Sequence, residues 1–329
     1  MSVLRLSFAC WDYDRMKAVQ DGRIRPDGID LNFLPLRIEE TFYRQLRFRE
    51  FDVAELSLSS YLLTLNEPEP PFVAIPVFPS RCFRHQSIYV NAESGVDAPG
   101  DLAGKRVGTP EYEMTAGVWQ RGILADFHGV PVDSVRYFTG AIEDRGRPEK
   151  LPLNLPASIS VTPIGAGQNL SEMLAAGEID AIYSATQPPC FGQAKAVRRL
   201  FGDFKRAEQE YYRRTRIFPI MHTVVIRRSL HEREPWIARS LTKAFGQALE
   251  IAYQDLRERG ALKAMLPWLA DHLEETVDVL GPGYWDYGLE QNRHVLETFA
   301  RYSYEQGLAS SRFGVDEMFA PGSSESFRI

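Results

Sequence analysis

The sequence predicts an α/β fold of two lobes, with two crossings of the chain between them and helices from the C-terminal part completing the first lobe. Three observations predict it. Short β-type runs alternate with helical patterns in the first part, a long apolar strand candidate returns near residue 220, and the chain thereafter reads as largely helical. At 329 residues, 44% of them hydrophobic, the chain is long enough for two domains and can bury a sizeable core.

Taken in order, "VLRLSFA" (3–9), "IDLNFLPL" (29–36), "FDVAELSL" (51–58) and "FVAIPVF" (72–78) are rich in β-branched and aromatic residues and read as strands. "IEETFYRQLRF" (38–48) carries apolar residues at helical spacing. A second unit opens after the turn-rich stretch 97–104, with a strand at 105–109 and a helix from Thr115 to about His128, which Thr115 could cap. "SVRYF" (134–138) and "IDAIYSA" (179–185) are its next strands. Between them, residues 140–168 hold four prolines and four glycines and read as an irregular excursion. "IFPIMHTVVIRR" (217–228) is the returning strand. Long helices follow at 234–260, where Pro235 suits a first turn, and at 285–308; residues 321–327 form a Ser/Gly-rich tail expected to fray.

These elements divide the chain into a discontinuous first lobe, 1–85 with 221–329, and a second lobe, 86–220. Two crossings make a hinge, and a hinge between lobes implies a cleft.

The net charge of −6 and a pI of about 5.7 argue against the broad basic footprint of a nucleic-acid binder. Cys10, Cys82 and Cys190 are odd in number and far apart, so neither a disulfide framework nor a zinc site is signalled, and a reducing compartment fits. No apolar window approaches the roughly 20 residues that span a bilayer, so no membrane association is expected. The stretch before Trp11 is too short for a secretory h-region, and the expectation is a cytoplasmic protein.

Three stretches, "FPSRCFRHQSIYVN", "GTPEYEMTAGVWQRGIL" and "FPIMHTVVI", resemble the 4,5-dihydroxyphthalate decarboxylase family, and the element order resembles the type II periplasmic-binding-protein-like fold. The resemblance covers essentially the whole chain. It implies cytoplasmic loss of CO2 from a hydroxylated aromatic dicarboxylate, without a cofactor and with a small anionic aromatic substrate as partner.

Such chemistry needs cations for the carboxylate that stays, a proton donor near the ring carbon and an acceptor for the phenol proton. Arg81 and Arg84, at the first crossing, could clamp a carboxylate; the plainer reading makes them solvated charges or salt bridges. His222, flanked by apolar residues on the returning strand, is the candidate for proton transfer, set against a hydrogen-bonded core histidine, and His85 is its candidate partner or the phenol base. Glu55, a carboxylate inside a strand, could accept a phenol proton, pair with Arg81 or mark a solvated strand end. Trp11 and Tyr13 could stack on the ring, although Trp11 reads equally as core. Ser57 or Ser59 could donate hydrogen bonds, and Thr109 and Thr115 flank a strand-to-helix junction suited to an anion. Tyr183 and Ser184 end a strand on the second lobe and could close over the ligand.

Two other readings stand beside this one: a solute-binding or sensor protein for an anionic aromatic, and a metal-dependent decarboxylase gathering His85, His222 and Glu55 around a divalent ion. A homo-oligomer formed through the C-terminal helices fits the sequence as well as packing of those helices on the first lobe.

Overall fold

A computed structural model describes residues 3–144 and 151–322. Residues 145–150 of the irregular excursion and most of the Ser/Gly-rich tail lie outside the described residues. The chain opens with β1 (Leu4–Cys10), α1 (Lys17–Gln20), β2 (Ile29–Pro35), α2 (Ile38–Phe48), β3 (Val53–Ser57), α3 (Leu58–Thr64) and β4 (Phe72–Arg81). There follow β5 (Ile88–Asn91), β6 (Arg106–Thr109), α4 (Thr115–His128), β7 (Arg136–Thr139), β8 (Ser160–Pro163), α5 (Leu170–Ala175), β9 (Ala181–Tyr183), β10 (Val197–Arg199) and α6 (Phe204–Thr215). The last part comprises β11 (Ile220–Arg227), α7 (Arg228–Arg233), α8 (Trp236–Arg257), α9 (Leu269–Leu280), α10 (Arg293–Glu305) and α11 (Val315–Met318).

Two compact units result. The first takes residues 1–81, 215–297 and 313–329, the second residues 82–214 and 298–312. Compared with the sequence-based division, the crossings move by a few residues and 298–312, the end of α10 and the turn after it, belong to the second unit.

In the first unit the strand order is β2-β1-β3-β11-β4. The strands β2, β1 and β3 run parallel, as expected of strands joined through helices, while β11 enters antiparallel to both β3 and β4. Its apolar run "TVVI" has no exposed residue because both edges are paired and both faces covered. On β1, Phe8 is fully buried, edge-on to Phe33 and tilted against Phe245 of α8. The stripe Ile237, Leu241, Phe245 and Leu249 repeats at helical spacing and supplies the buried side of α8. Phe319 bridges to Ala74, so the chain after α11 closes along β4.

The second unit holds a mixed sheet of order β10-β5-β9-β6-β7-β8, parallel from β9 through β8 and antiparallel at β5 and β10. The two edge strands at its ends, β8 and β10, are short and were not legible from periodicity. Thr115 is the first residue of α4 and not its cap: the capping position is Met114, which offers no side-chain acceptor. Gly122 lets the Tyr302 ring lie directly on α4. A Cβ there would come within 2.2 Å of the ring, whose hydroxyl donates to Asp126 at 2.7 Å.

Glu208 of α6 ties that helix to the segment preceding β5. It is 7% exposed and accepts from the Gln86 backbone N–H at 3.1 Å. Burial pushes its carboxyl up to about 7, against the opposing pull of that N–H, the Arg84 charge and the His85 N–H.

Two outcomes follow from this packing. Gly122→Ala should lower the thermal midpoint, at a cost of about 1–3 kcal/mol from forced displacement of the Tyr302 ring; an unchanged midpoint would mean that the ring moves aside freely. For Glu208, the folded chain keeps the proton up to about pH 7, whereas an unfolded chain releases it near pH 4.3. The neutral form therefore stabilises the fold fully below about pH 4.3, and that contribution is lost as the pH rises to about 7. Glu208→Gln, permanently neutral, should gain roughly 3–4 kcal/mol on the wild type across that range, at about 1.4 kcal/mol per pH unit. Paired melting curves at pH 4.5, 6 and 8 measure it.

Candidate active site

The site grows from the register of three strands. Ala54 of β3 faces Ala9 of β1, so the next residues, Glu55 and Cys10, share one face of the sheet. On the other side Val224 pairs with Glu55 and His222 with Ser57, which places His222 diagonally across from Glu55 on that same face. The pairing of β11 with β4 shifts register on either side of His222. Such irregularities re-aim side chains next to functional sites.

Glu55 is wholly buried, and its two oxygens take four donors. The Trp11 backbone N–H reaches Oε2 at 3.0 Å and the Cys10 thiol reaches the same oxygen at 3.4 Å. The Tyr13 hydroxyl donates to Oε1 at 2.7 Å, and His222 Nδ1 lies 2.6 Å from Oε1. Burial alone would raise this carboxyl, but the hydrogen bond and charge of His222, the Trp11 N–H and the Tyr13 hydroxyl outweigh it and hold it below the ordinary range. Burial, reinforced by the Glu55 charge, drives the Cys10 thiol and the Tyr13 phenol upward, so both stay protonated and donate.

An ionised carboxylate only accepts, so His222 carries a proton on Nδ1. Its Nε2 makes no hydrogen bond with any described residue. The ring stands edge-on to Phe42 at 5.0 Å, and its side chain is 13% exposed. One nitrogen is thus fixed by a buried anion, and the other is available to a reactant. Ser57, facing His222, caps α3 by accepting from the Ser60 N–H at 3.4 Å. Trp11 is 38% exposed, which removes its reading as core.

Other sequence-derived candidates stand elsewhere. Arg81 is buried, and its guanidinium donates to the carbonyls of Phe218 at 3.2 Å and Asp286 at 3.1 Å and to the Asn292 side chain. That arrangement ties β4 to the segment before α10; the expected pair with Glu55 is replaced by these internal acceptors.

Arg84, His85, Thr109, Thr115, Tyr183 and Ser184 belong to the second unit. Arg84 is buried and donates to the Ala185 carbonyl at 3.2 Å; burial lowers its pKa. His85 is 3% exposed and packs against Phe201 and Tyr211. Burial, with the His128 charge, pushes it down to about 4, an environment that keeps the imidazole neutral and suits packing better than proton transfer. Thr109 Oγ1 donates to the Glu111 carbonyl at 3.2 Å, and Thr115 is buried at the start of α4. Tyr183 and Ser184 are buried as well, with Ser184 Oγ accepting from the Thr186 N–H at 3.0 Å.

Sequence reasoning missed Arg121. It is 1% exposed, stacks 4.0 Å from the Tyr112 ring centroid and donates to Gln306 and the Tyr112 carbonyl. Its Nη1 and the Tyr183 hydroxyl make no hydrogen bond among the described residues. Arg15, also missed, lies over Tyr13 in the first unit. Among the described residues, no group of three or more His, Cys, Asp or Glu is placed to hold a metal ion, and no helix is long and apolar enough to cross a membrane.

No family model matches the chain. Among solved structures, the periplasmic sulfonate-binding protein SsuA from Methylobacillus flagellatus superposes with a TM-score of 0.59 at 14% identity, over 98% of this chain and 93% of its own. The aliphatic sulphonate-binding protein SsuA from Escherichia coli gives a TM-score of 0.52 at 14% identity, over 97% and 98%. These likenesses carry the fold alone: the chain has the two-lobed α/β architecture of type II periplasmic binding proteins. The 4,5-dihydroxyphthalate decarboxylase of Pseudomonas putida is 42% identical over 214 residues, 65% of this chain and 83% of that protein. With the 4,5-dihydroxyphthalate decarboxylase of Comamonas testosteroni the identity is 41% over 330 aligned positions, the full length of both chains. The chain belongs to the 4,5-dihydroxyphthalate decarboxylase family.

Proposed function

We propose that His222, held by Glu55, delivers the proton in the decarboxylation of 4,5-dihydroxyphthalate to 3,4-dihydroxybenzoate and CO2. The overall reaction, that of a carboxy-lyase, is supported by family membership over the whole chain. The observation that carries the mechanism is the buried Glu55 carboxylate, whose 2.6 Å contact fixes His222 through Nδ1 and leaves Nε2 for the substrate.

In the substrate each carboxylate lies para to a phenol oxygen. Loss of the phenol proton pushes electron density onto the ring carbon that bears the carboxylate. The step starts from His222 protonated on both nitrogens: the Nε2 proton passes to that carbon, and the C–C bond to the carboxylate then breaks. Its electron pair returns to the ring, CO2 leaves, and aromaticity is restored. The site regains its proton from the phenol or from solvent, so the net change is the exchange of a carboxylate for a hydrogen.

Glu55 acts on this step through His222. It holds the Nδ1–H tautomer and the ring orientation, while Cys10, Trp11 and Tyr13 keep its own charge compensated. The exposed Trp11, one residue beyond the donor Cys10, is a stacking surface for the aromatic ring. We place the reaction in the cytoplasm, a reading supported by three unpaired cysteines.

The ultraviolet spectrum of substrate mixed with pure protein follows conversion directly. His222→Ala should lower kcat by about 10²–10⁴, the usual contribution of general acid-base help, and should also lower the melting temperature, because the buried Glu55 carboxylate loses one of its four donors. Glu55→Gln should lower kcat and also stability, because an amide cannot accept from all four donors. Full turnover by a folded His222→Ala protein would remove the mechanism.

A further inference from the structure

We propose that Arg15 holds the substrate carboxylate that is retained, making it the residue that selects an aromatic acid over an uncharged ring. This assignment rests on the decarboxylase reading and extends it to a residue outside the His222 relay.

Arg15 lies in the single 3-10 turn Asp14–Met16 that follows the end of β1, two residues beyond Tyr13. Its guanidinium carbon lies 4.0 Å from the centroid of the Tyr13 ring and 4.3 Å from that of Trp285. Trp285 is itself fixed, its indole N–H donating to the Phe78 carbonyl at 3.1 Å and its backbone N–H to the Tyr253 hydroxyl at 2.8 Å. Two anchored aromatic rings and the bond from Nε to the Pro79 carbonyl leave the guanidinium little rotational freedom.

The side carrying Nη1 and Nη2 remains for a ligand. Nη1 contacts Asp14 at 2.9 Å, an adjacent residue whose side chain is 59% exposed. Exposed pairs of this kind are weak and exchange readily. Nη2 makes no hydrogen bond with any described residue. The charge is only 14% exposed, so an incoming carboxylate would meet it largely stripped of water, where a bidentate fork binds strongly.

Tyr13 links this cation to the reaction. Its ring lies against Arg15 while its hydroxyl donates to the same Glu55 oxygen that holds His222. The cation and the proton donor are thus linked through one phenol and one carboxylate oxygen within one unit of the protein. Neither Arg81 nor Arg84 offers an equivalent, since each is buried and donates to backbone carbonyls.

The test compares wild type, Arg15→Lys and Arg15→Met in turnover of 4,5-dihydroxyphthalate and in inhibition by the product 3,4-dihydroxybenzoate, which keeps one carboxylate. Wild-type turnover is measured first and tests the decarboxylase reading; if it is absent, both ideas fall together. With turnover present, Arg15→Met should raise KM and the product inhibition constant together by about 10- to 100-fold, the range of a charge-assisted hydrogen bond. Arg15→Lys should recover part of both. A merely structural role would lower the ligand-free melting temperature and kcat while leaving the inhibition constant within twofold of the wild type in both variants. That result overturns the assignment of Arg15 and leaves the role of His222 standing.

Discussion

A carboxylate with no solvent exposure must have its charge compensated from within, and Glu55 sets that requirement for the centre of the first unit. Its four partners come from three stretches of chain: the end of β1, the turn after it, and β11. The cluster therefore works as a geometric constraint on the sheet as much as a chemical device. Sliding β11 by one residue would turn His222 to the opposite face and leave the carboxylate with an unfilled lone pair. The same constraint explains a cysteine at position 10, where a small buried side chain with a weak donor fits beside an anion.

Burial, more than residue type, separates the histidines and arginines that the sequence presents alike. His222 lies inside an apolar strand, and His85 stands between Arg84 and Gln86 just before one. One meets a buried anion through one nitrogen and leaves the other available, whereas the other meets Phe201 and Tyr211. The arginines divide in the same way. Arg81 and Arg84 are tied to backbone carbonyls, while Arg15 is clamped between aromatic rings with part of its fork toward solvent.

The alternation of strands and helices was readable because their periodicities differ, and β1 to β4, α2, α8 and β11 all lie within a few residues of the expected runs. His222 and Glu55 were readable as polar residues inside apolar strands, a pattern that requires a partner. Arg15 was not, because "DYDRM" surrounds it with charges and reads as solvent; only the tertiary placement of Trp285, 270 positions later, gives it a clamp. Arg121 was hidden in a helix whose periodicity cannot show that its polar face is also covered. The second helix expected at 285–308 begins only at Arg293, because the preceding residues turn back so that Asp286 and Asn292 can accept from Arg81.

The position of β11 between β3 and β4 has a temporal meaning too. Glu55 and His222 are separated by 167 positions, and the second unit's main segment, 82–214, lies entirely between them. During synthesis from the N-terminus, β3 and β4 emerge long before the strand that joins them, and Glu55 emerges long before the imidazole that compensates it. The intervening segment is exported from the ribosome as a nearly complete unit in the meantime, so it can collapse first. The first unit must then close a loop of that length, a slow non-local step that leaves two sheet edges unpaired while it waits. Completion of the first sheet thus waits for β11, and a ribosome that stops before it releases a chain in which β3 and β4 stay unjoined and Glu55 lacks His222.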